Sequence, residues 1–190
     1  IDRNQSNKIY FDNQRRKSNL GYIVKNEFIL DCLYKKLQKQ KNVEIFNNVS
    51  VKDIFYEGNR IISKQNNFYV NTSIIFACDG KNSFIRKIFK TPIYKKDYKK
   101  KAIVINFYHS KNHHNTAYEL FFKNGPLAIL PMRKNKSQFQ SSIVWTNTNK
   151  FINSLLSLDD DKLISVLNEK TQGSVGEIKK IITKQTFPLT

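Results

Sequence analysis

Ile74-Ile75-Phe76-Ala77-Cys78-Asp79-Gly80-Lys81-Asn82-Ser83-Phe84-Ile85-Arg86 is the stretch on which the reading of this chain turns. Residues 74–78 are apolar without a break, the pattern of a short strand buried on both faces. Asp79 and Gly80 follow at once, and Ser83 and Arg86 come before the apolar Ile88 and Phe89. A buried strand that ends in a carboxylate and a glycine, with a helix starting close behind, is where an α/β sheet holds a ligand. Gly80 permits close backbone approach, and Asp79 can accept hydrogen bonds from sugar hydroxyls. Arg86, about two turns on if the helix begins near Gly80, can pair with Asp79 or with a phosphate. Alone, an Asp-Gly pair after a strand is an ordinary turn, so its neighbours must decide.

Upstream, Asn26 can cap a helix whose apolar residues Ile29, Leu30, Leu33, Tyr34 and Leu37 recur at helical spacing. Residues 43–46 read as a short strand. Residues 49–56, the turn Glu57-Gly58-Asn59 and residues 60–64 read as a hairpin, onto which residues 68–70 pair. This first portion, residues 1–91, has α/β character.

Downstream of Pro92 the texture changes. Residues 102–108, 117–122, 127–132 and 139–146 are strand-like runs separated by polar or glycine-containing connections, which predicts an antiparallel meander in a second domain, residues 92–190. Ser157 can cap a helix with Asp159, Asp160 and Asp161 near its positive end, and Leu163, Ile164, Val166 and Leu167 as its buried stripe. Residues 181–187 read as a last strand stopped by Pro188. The fold class expected is therefore α/β plus antiparallel β, an α+β chain overall.

Composition narrows the partners. Thirty-three Lys+Arg against 15 Asp+Glu give a formal charge of +18, and 39% of residues are hydrophobic, too many for a disordered chain. The lysines are spread along the whole sequence, which favours general lysine usage over a dedicated nucleic-acid face and leaves room for modest attraction to anionic lipid. The cluster Lys95-Lys96-Asp97-Tyr98-Lys99-Lys100-Lys101 reads as a linker between domains. No run is long enough for a membrane span and no signal-type segment opens the chain, which begins with Ile1. Cys32 and Cys78 lack metal or redox spacing and are expected to be packed thiols in a reducing compartment. His113-His114 reads as a solvated loop, since adjacent histidines on a strand point to opposite faces, and no metal site is expected. Ser83 has no G-x-S-x-G context, so a nucleophilic serine is not expected.

Four segments, in order, carry a resemblance. Leu20-Gly21-Tyr22-Ile23-Val24-Lys25-Asn26 resembles an LGYxVEN entry to a helix, with Lys25 in place of Glu. Ala77-Cys78-Asp79-Gly80-Lys81-Asn82-Ser83-Phe84-Ile85-Arg86 resembles A-D-G-x-x-S-x-x-R. Gly125-Pro126-Leu127-Ala128-Ile129-Leu130-Pro131 resembles GPLALLP, and Ser142-Ile143-Val144-Trp145-Thr146 resembles SLVWT. Phe187-Pro188-Leu189 resembles a YPL. Together they make the chain similar to the middle of an FAD-dependent aromatic-ring hydroxylase of the ubiquinone-biosynthesis group, within the para-hydroxybenzoate hydroxylase fold. The family's N-terminal GxGxxG and C-terminal GD motifs are absent, so the expectation is an internal fragment, inactive by itself.

The resemblance implies a Rossmann-like FAD-binding portion followed by a substrate domain. It implies Asn26, Asp79, Gly80 and Arg86 as cofactor-binding residues, and Leu127, Ile129 and Pro131 as substrate-pocket candidates. For Asn26 the plain alternative is a helix cap, and for Leu127 and Ile129 it is ordinary core. The implied reaction is hydroxylation of a polyprenyl phenol with FAD, NAD(P)H and oxygen; no general base is identified. The implied partners are the lipid-tailed phenol and a peripheral membrane or biosynthetic complex, with no nucleic acid. The implied location is cytoplasmic, or peripheral to an inner membrane on its matrix side in a eukaryote. Two other readings remain: a different FAD oxidoreductase of the same fold (reductase, halogenase or epoxidase), and a basic nucleic-acid-binding module.

Overall fold

The computed structural model describes residues 9–12, 18–55, 60–63, 69–135 and 137–190. They form two compact units, Glu27–Lys95 and Lys96–Thr190, the second grouped with the described residues up to Asn26.

The smaller unit contains α1 (Asn26–Gln38), β1 (Val51–Phe55), β2 (Arg60–Ser63), β3 (Tyr69–Asn71) and α2 (Phe84–Ile88). The strands pair antiparallel in the order β1-β2-β3, with Ile54 opposite Ile61 and Ile61 opposite Val70. The hairpin follows the sequence pattern; its turn, Glu57-Gly58-Asn59, and Tyr56, Lys64 and Phe68 lie outside the described residues. Helix α1 has Glu27 in its first turn and Lys35 and Lys36 in its last, which suits the helix dipole. The Asp31–Lys35 pair, 2.7 Å apart and one turn along, is exposed and screened by solvent, so it contributes little.

Two strands expected in this unit do not form, for one reason. Residues 43–46 and 74–78 pair with no strand among the described residues, Ile74 and Phe76 are 66% and 82% exposed, and no residue of α1 is buried. An apolar run records a demand for burial, but a strand exists only when a neighbour supplies its ladder. Lacking one, the run turns locally, and the Cys78 N–H donates to the Phe76 carbonyl at 3.1 Å. Cys78 and Cys32 are accordingly exposed, not packed.

The larger unit is built on β4 (Lys100–His109), β5 (Tyr118–Phe122), β6 (Gly125–Asn135), β7 (Gln138–Thr148) and β8 (Ile178–Leu189), with α3 (Asn149–Leu156) and α4 (Asp160–Thr171) between β7 and β8. The order is β5-β6-β7-β4-β8, antiparallel throughout. Only β5-β6-β7 is a meander. The first strand sits between β7 and β8 because the long last strand, read from the sequence as residues 181–187, covers all of β4. Pro188 does not stop it: β8 is an edge strand, and a proline that lacks an N–H is tolerated there.

Alternation decides which face is covered. Ile103, Ile105 and Phe107 of β4, Leu127 and Ile129 of β6, and Ile143 and Trp145 of β7 form one cluster with Ile152 and Leu155 of α3 and Leu163 and Leu167 of α4. Each fully buried side chain of this size contributes about 1.5–3 kcal/mol. The N-cap of α4 is Asp159, whose carboxylate accepts the Lys162 N–H at 2.8 Å, while Ser157 ends the unforeseen helix α3. Leu163 and Leu167 are buried as the spacing predicts, with Ile164 and Val166 partly so. The lysine-rich residues 95–101 are not wholly a linker, since Lys100 and Lys101 already pair with Thr148 and Asn147.

His113 is buried, not solvated; its Nε2 faces the Met132 carbonyl at 3.0 Å and its Nδ1 accepts the Asn115 N–H at 3.0 Å. A carbonyl can only accept, so the proton sits on Nε2. His109 beside it is also buried, between the Val175 carbonyl at 3.1 Å and the Ser141 hydroxyl at 2.9 Å. Burial holds the His109 pKa below its ordinary value. The unfolded chain therefore takes up this proton first, and the stability tied to neutral His109 is complete above a pH of about 6.5 and lost as pH falls below it. Denaturant midpoints measured from pH 7.5 downward should decline through this range, and His109→Gln should flatten that decline.

Gly125 follows a two-residue turn and has φ +149°, and a Cβ there would run into the Thr146 carbonyl. Gly125→Ala should cost at least about 2 kcal/mol in equilibrium unfolding.

Candidate functional site

Around Asp79 the chain folds a loop onto a short helix. Asp79 Oδ2 accepts the N–H groups of Phe84 at 2.7 Å and Ile85 at 3.1 Å. Ser83, the N-cap of α2, accepts the Arg86 N–H through its hydroxyl at 3.0 Å. Three of the donors that a helix start leaves unpaired are thus satisfied by two side chains. The Ser83 N–H closes the turn on the Gly80 carbonyl at 3.1 Å, and Gly80 has φ +80°, where glycine is unstrained. The Asp79 pKa is held below its ordinary value, first by the Ser83 side chain and then by the Ile85 N–H.

Arg86 departs from the sequence expectation. The helix starts at Phe84, so Arg86 lies in its first turn, and its guanidinium donates to the Lys81 carbonyl, not to Asp79. One arm of the guanidinium fork fixes the loop, while the side chain lines a cavity of about 560 Å³ with Ile54, Ile75, Gly80, Ser83 and Phe89 among the other wall residues. The cavity walls come from β1, the 74–78 run and α2. Ile54 and Phe89 were not foreseen as lining residues. Alternation in β1 could have pointed to Ile54, whereas nothing in the sequence marks Phe89 beyond its being apolar.

The structure brings Gly80 and Arg86 to one cavity and gives Asp79 an internal task beside it. Apart from its chain neighbours, no heavy atom of the described residues lies within 4 Å of the place where a Cβ on Gly80 would stand, so the main chain there is open to an approaching group. Asn26 is the first residue of α1 and is exposed. Leu127 and Ile129 are fully buried in the cluster under α3 and α4, as the ordinary-core alternative has it. Pro131 is partly exposed, and so are Ala128 and Leu130, which alternate with Leu127 and Ile129. No group of metal-ligating side chains occurs among the described residues.

An open glycine backbone and a cationic side chain fixed by a carbonyl suit one edge of a phosphate-bearing nucleotide. The Asp79 carboxylate, already accepting two N–H groups, suits holding the loop better than holding the ligand.

No family model matches the chain. Sequence relatives are ubiquinone hydroxylases. The chain is 26% identical over 171 residues to the mitochondrial ubiquinone biosynthesis monooxygenase COQ6 of Danio rerio, covering 84% of this chain and 34% of that protein. It is 24% identical to the ubiquinone hydroxylase UbiM of Neisseria meningitidis, covering 90% and 36%, and 29% identical over 121 residues to UbiL of Rhodospirillum rubrum, covering 64% and 27%. The chain thus spans about a third of the length of the curated relatives it matches. In structure it resembles PqsL, a probable FAD-dependent monooxygenase of Pseudomonas aeruginosa, with TM-score 0.64, 13% identity and coverage of 86% and 46%. It also resembles the flavin-dependent halogenase CmlS, with TM-score 0.54, 11% identity and coverage of 85% and 30%. The α+β fold is that of these flavoproteins. Among the described residues no helix is long and apolar enough to cross a membrane.

If Asp79 holds the loop, Asp79→Ala should release α2: the Phe84 and Ile85 amides should exchange hydrogen at rates near those of an unstructured peptide. Because the folded pKa lies below the unfolded one, wild-type protection should persist under mildly acidic conditions and vanish only below a pH of about 4.

Proposed function

We propose that this chain is part of an FAD-dependent monooxygenase that hydroxylates the aromatic ring of a polyprenyl phenol in ubiquinone synthesis, with NAD(P)H as reductant. The observation that carries this reading is the match, along 84% of the chain, to a ubiquinone biosynthesis monooxygenase. The fold alone would not choose the reaction, since a halogenase shares it.

In this reading Gly80 offers its open backbone and Arg86 its remaining donors to the phosphates of FAD, with Asn26 at the start of α1 as a further contact. Asp79 and Ser83 keep the loop in shape. FAD, when bound, supplies the redox and oxygen chemistry, and the protein supplies position and exclusion of water. Leu127 and Ile129 act as the packed backing of the substrate sheet. Ala128, Leu130 and Pro131, which the core does not enclose, are the better candidates for contact with ring and tail. The enzyme works peripherally at the membrane that contains its lipid-tailed substrate, on the matrix side if the source is a eukaryote.

The test uses the polypeptide expressed with its flanking coding sequence. The expected product is yellow, with an oxidised-flavin absorption band, NAD(P)H-dependent oxygen uptake, and a phenol product heavier by one oxygen atom. Asp79→Ala and Gly80→Val should each lower retained flavin at least tenfold, roughly, the scale set by losing a positioned polar contact. Absence of flavin and of NAD(P)H oxidation in the wild type would overturn the assignment.

A further inference from the structure

One end of the larger sheet encloses two histidines that the functional reading leaves unused. His109 closes β4 and His113 sits in the connection to β5; both are buried, with ring centres 5.9 Å apart. Phe139 of β7 packs on both, stacked on His109 at 6.1 Å and edge-on to His113 at 6.4 Å. The Lys134 ammonium lies 4.1 Å from the centre of the same Phe139 ring. The other charged or titratable groups on the elements packed there are Lys111 and His114 on the connection, Arg133 on β6, Glu177 just ahead of β8, and Lys179 and Lys180 on β8, all exposed. Among the described residues neither imidazole is ion-paired with a carboxylate.

All four ring nitrogens are committed. His109 faces the Val175 carbonyl and the Ser141 hydroxyl, and a hydroxyl can turn from donor to acceptor, so both contacts survive a charged ring. His113 gives its Nε2 proton to the Met132 carbonyl, and that contact survives too. The fourth contact does not survive. His113 Nδ1 accepts the Asn115 N–H at 3.0 Å, and a proton on Nδ1 would set two donors against each other.

That bond holds a strained turn. His114 and Asn115 both have positive φ, +47° and +56°, the mirror-image turn in which glycine, asparagine and aspartate dominate. The Thr116 N–H closes it on the His113 carbonyl at 2.8 Å, and the His114 N–H is taken by Asn112 Oδ1 at 3.0 Å. A histidine at the first central position lasts only while its surroundings hold it there. His113 supplies both anchors, through Nδ1 to the turn and through Nε2 to β6.

We propose that His113 is an acid-sensitive latch on the turn at residues 113–116. Neutral, it clips the turn and ties it to β6. A proton taken up at Nδ1 breaks the bond to Asn115 and frees the turn, with no bond made in its place. The open connection holds that proton in water, whereas the closed one must give up a hydrogen bond to hold it, so falling pH favours opening. A charge on the neighbouring His109 pushes in the same direction. The latch is independent of the flavoenzyme reading, because it involves no cofactor and is measured without turnover.

The test is hydrogen exchange read by mass spectrometry on the polypeptide expressed with its flanking coding sequence. Labelling runs at about pH 7.5 and about pH 5.5, across the range in which imidazole changes charge, with times scaled for the intrinsic exchange rate. Peptides spanning residues 110–117 should lose about tenfold in protection at the lower pH, the scale of one hydrogen bond. Peptides spanning residues 102–108 should change less than about twofold, since β4 keeps both of its ladders. His113→Asn cannot titrate and keeps an acceptor two residues ahead of the Asn115 N–H, as Asn112 does for His114. Its turn should be equally protected at both pH values, while His109→Gln should leave the acid response in place.

An unchanged turn at the lower pH would overturn the proposal. So would an equal loss of protection in residues 102–108, which would mean that the whole unit opens, or an acid response retained in His113→Asn. If that variant fails to fold, His109→Gln decides alone: a retained response assigns the proton to His113, and a lost one moves it to His109 and overturns the latch.

Discussion

Strand β4 is hydrogen-bonded along its whole length on both edges, to β7 on one side and β8 on the other, and the larger unit depends on that double ladder. It fixes the parity of every neighbouring strand. With Ile103, Ile105 and Phe107 turned toward the helices, register commits Ile143 and Trp145 to the same side, and through them Leu127 and Ile129. A slip of one residue would turn all of these outward at once. The long return through α3 and α4 exists to bring β8 back to β4, and the two helices cover the apolar side on the way.

The two units differ in how far they satisfy their own apolar residues. In the larger one, strands and helices close over a shared cluster. In the smaller one, Ile54 is the one hydrophobic residue of the described set to be buried, while α1 and, apart from the half-buried Ile75, the 74–78 run keep theirs exposed. The loop after that run is nevertheless well made, because its order comes from short-range hydrogen bonds at Asp79, Ser83 and Gly80 and not from a surrounding core. A local motif of this kind keeps its shape even where its long-range setting is incomplete.

That contrast explains what could be read from the sequence. Periodicity located α1, the β1–β2 hairpin and the strands of the larger sheet, since these signals are set by each segment's own faces. Residues 43–46 and 74–78 misled because their apolar runs speak of an environment that no other described segment provides. The place of β4 between β7 and β8 was hidden for a different reason: adjacency in a sheet depends on which edge remains free after the others have paired, and no short window of sequence contains that information. His113 was misread because its partner, the Met132 carbonyl, is a backbone group with no sequence signature. At the candidate site, Asp79, Gly80 and Arg86 were legible as a group. The division of labour among them was not, since whether a carboxylate meets a ligand or caps a helix is a matter of which N–H groups lie within reach.

The outer edge of β8 shows what such arrangements mean for self-association. A long edge strand offers its unpaired N–H and C=O groups to any second strand that approaches. Here that edge bears the exposed Lys179 and Lys180, with Lys184 paired to Asp160 at 2.7 Å, and ends near Pro188. A second copy aligning β8 against β8 would crowd like charges together and meet a residue unable to donate. The strand that completes the sheet also guards it, so copies of this protein can crowd a surface without zippering into a continuous sheet.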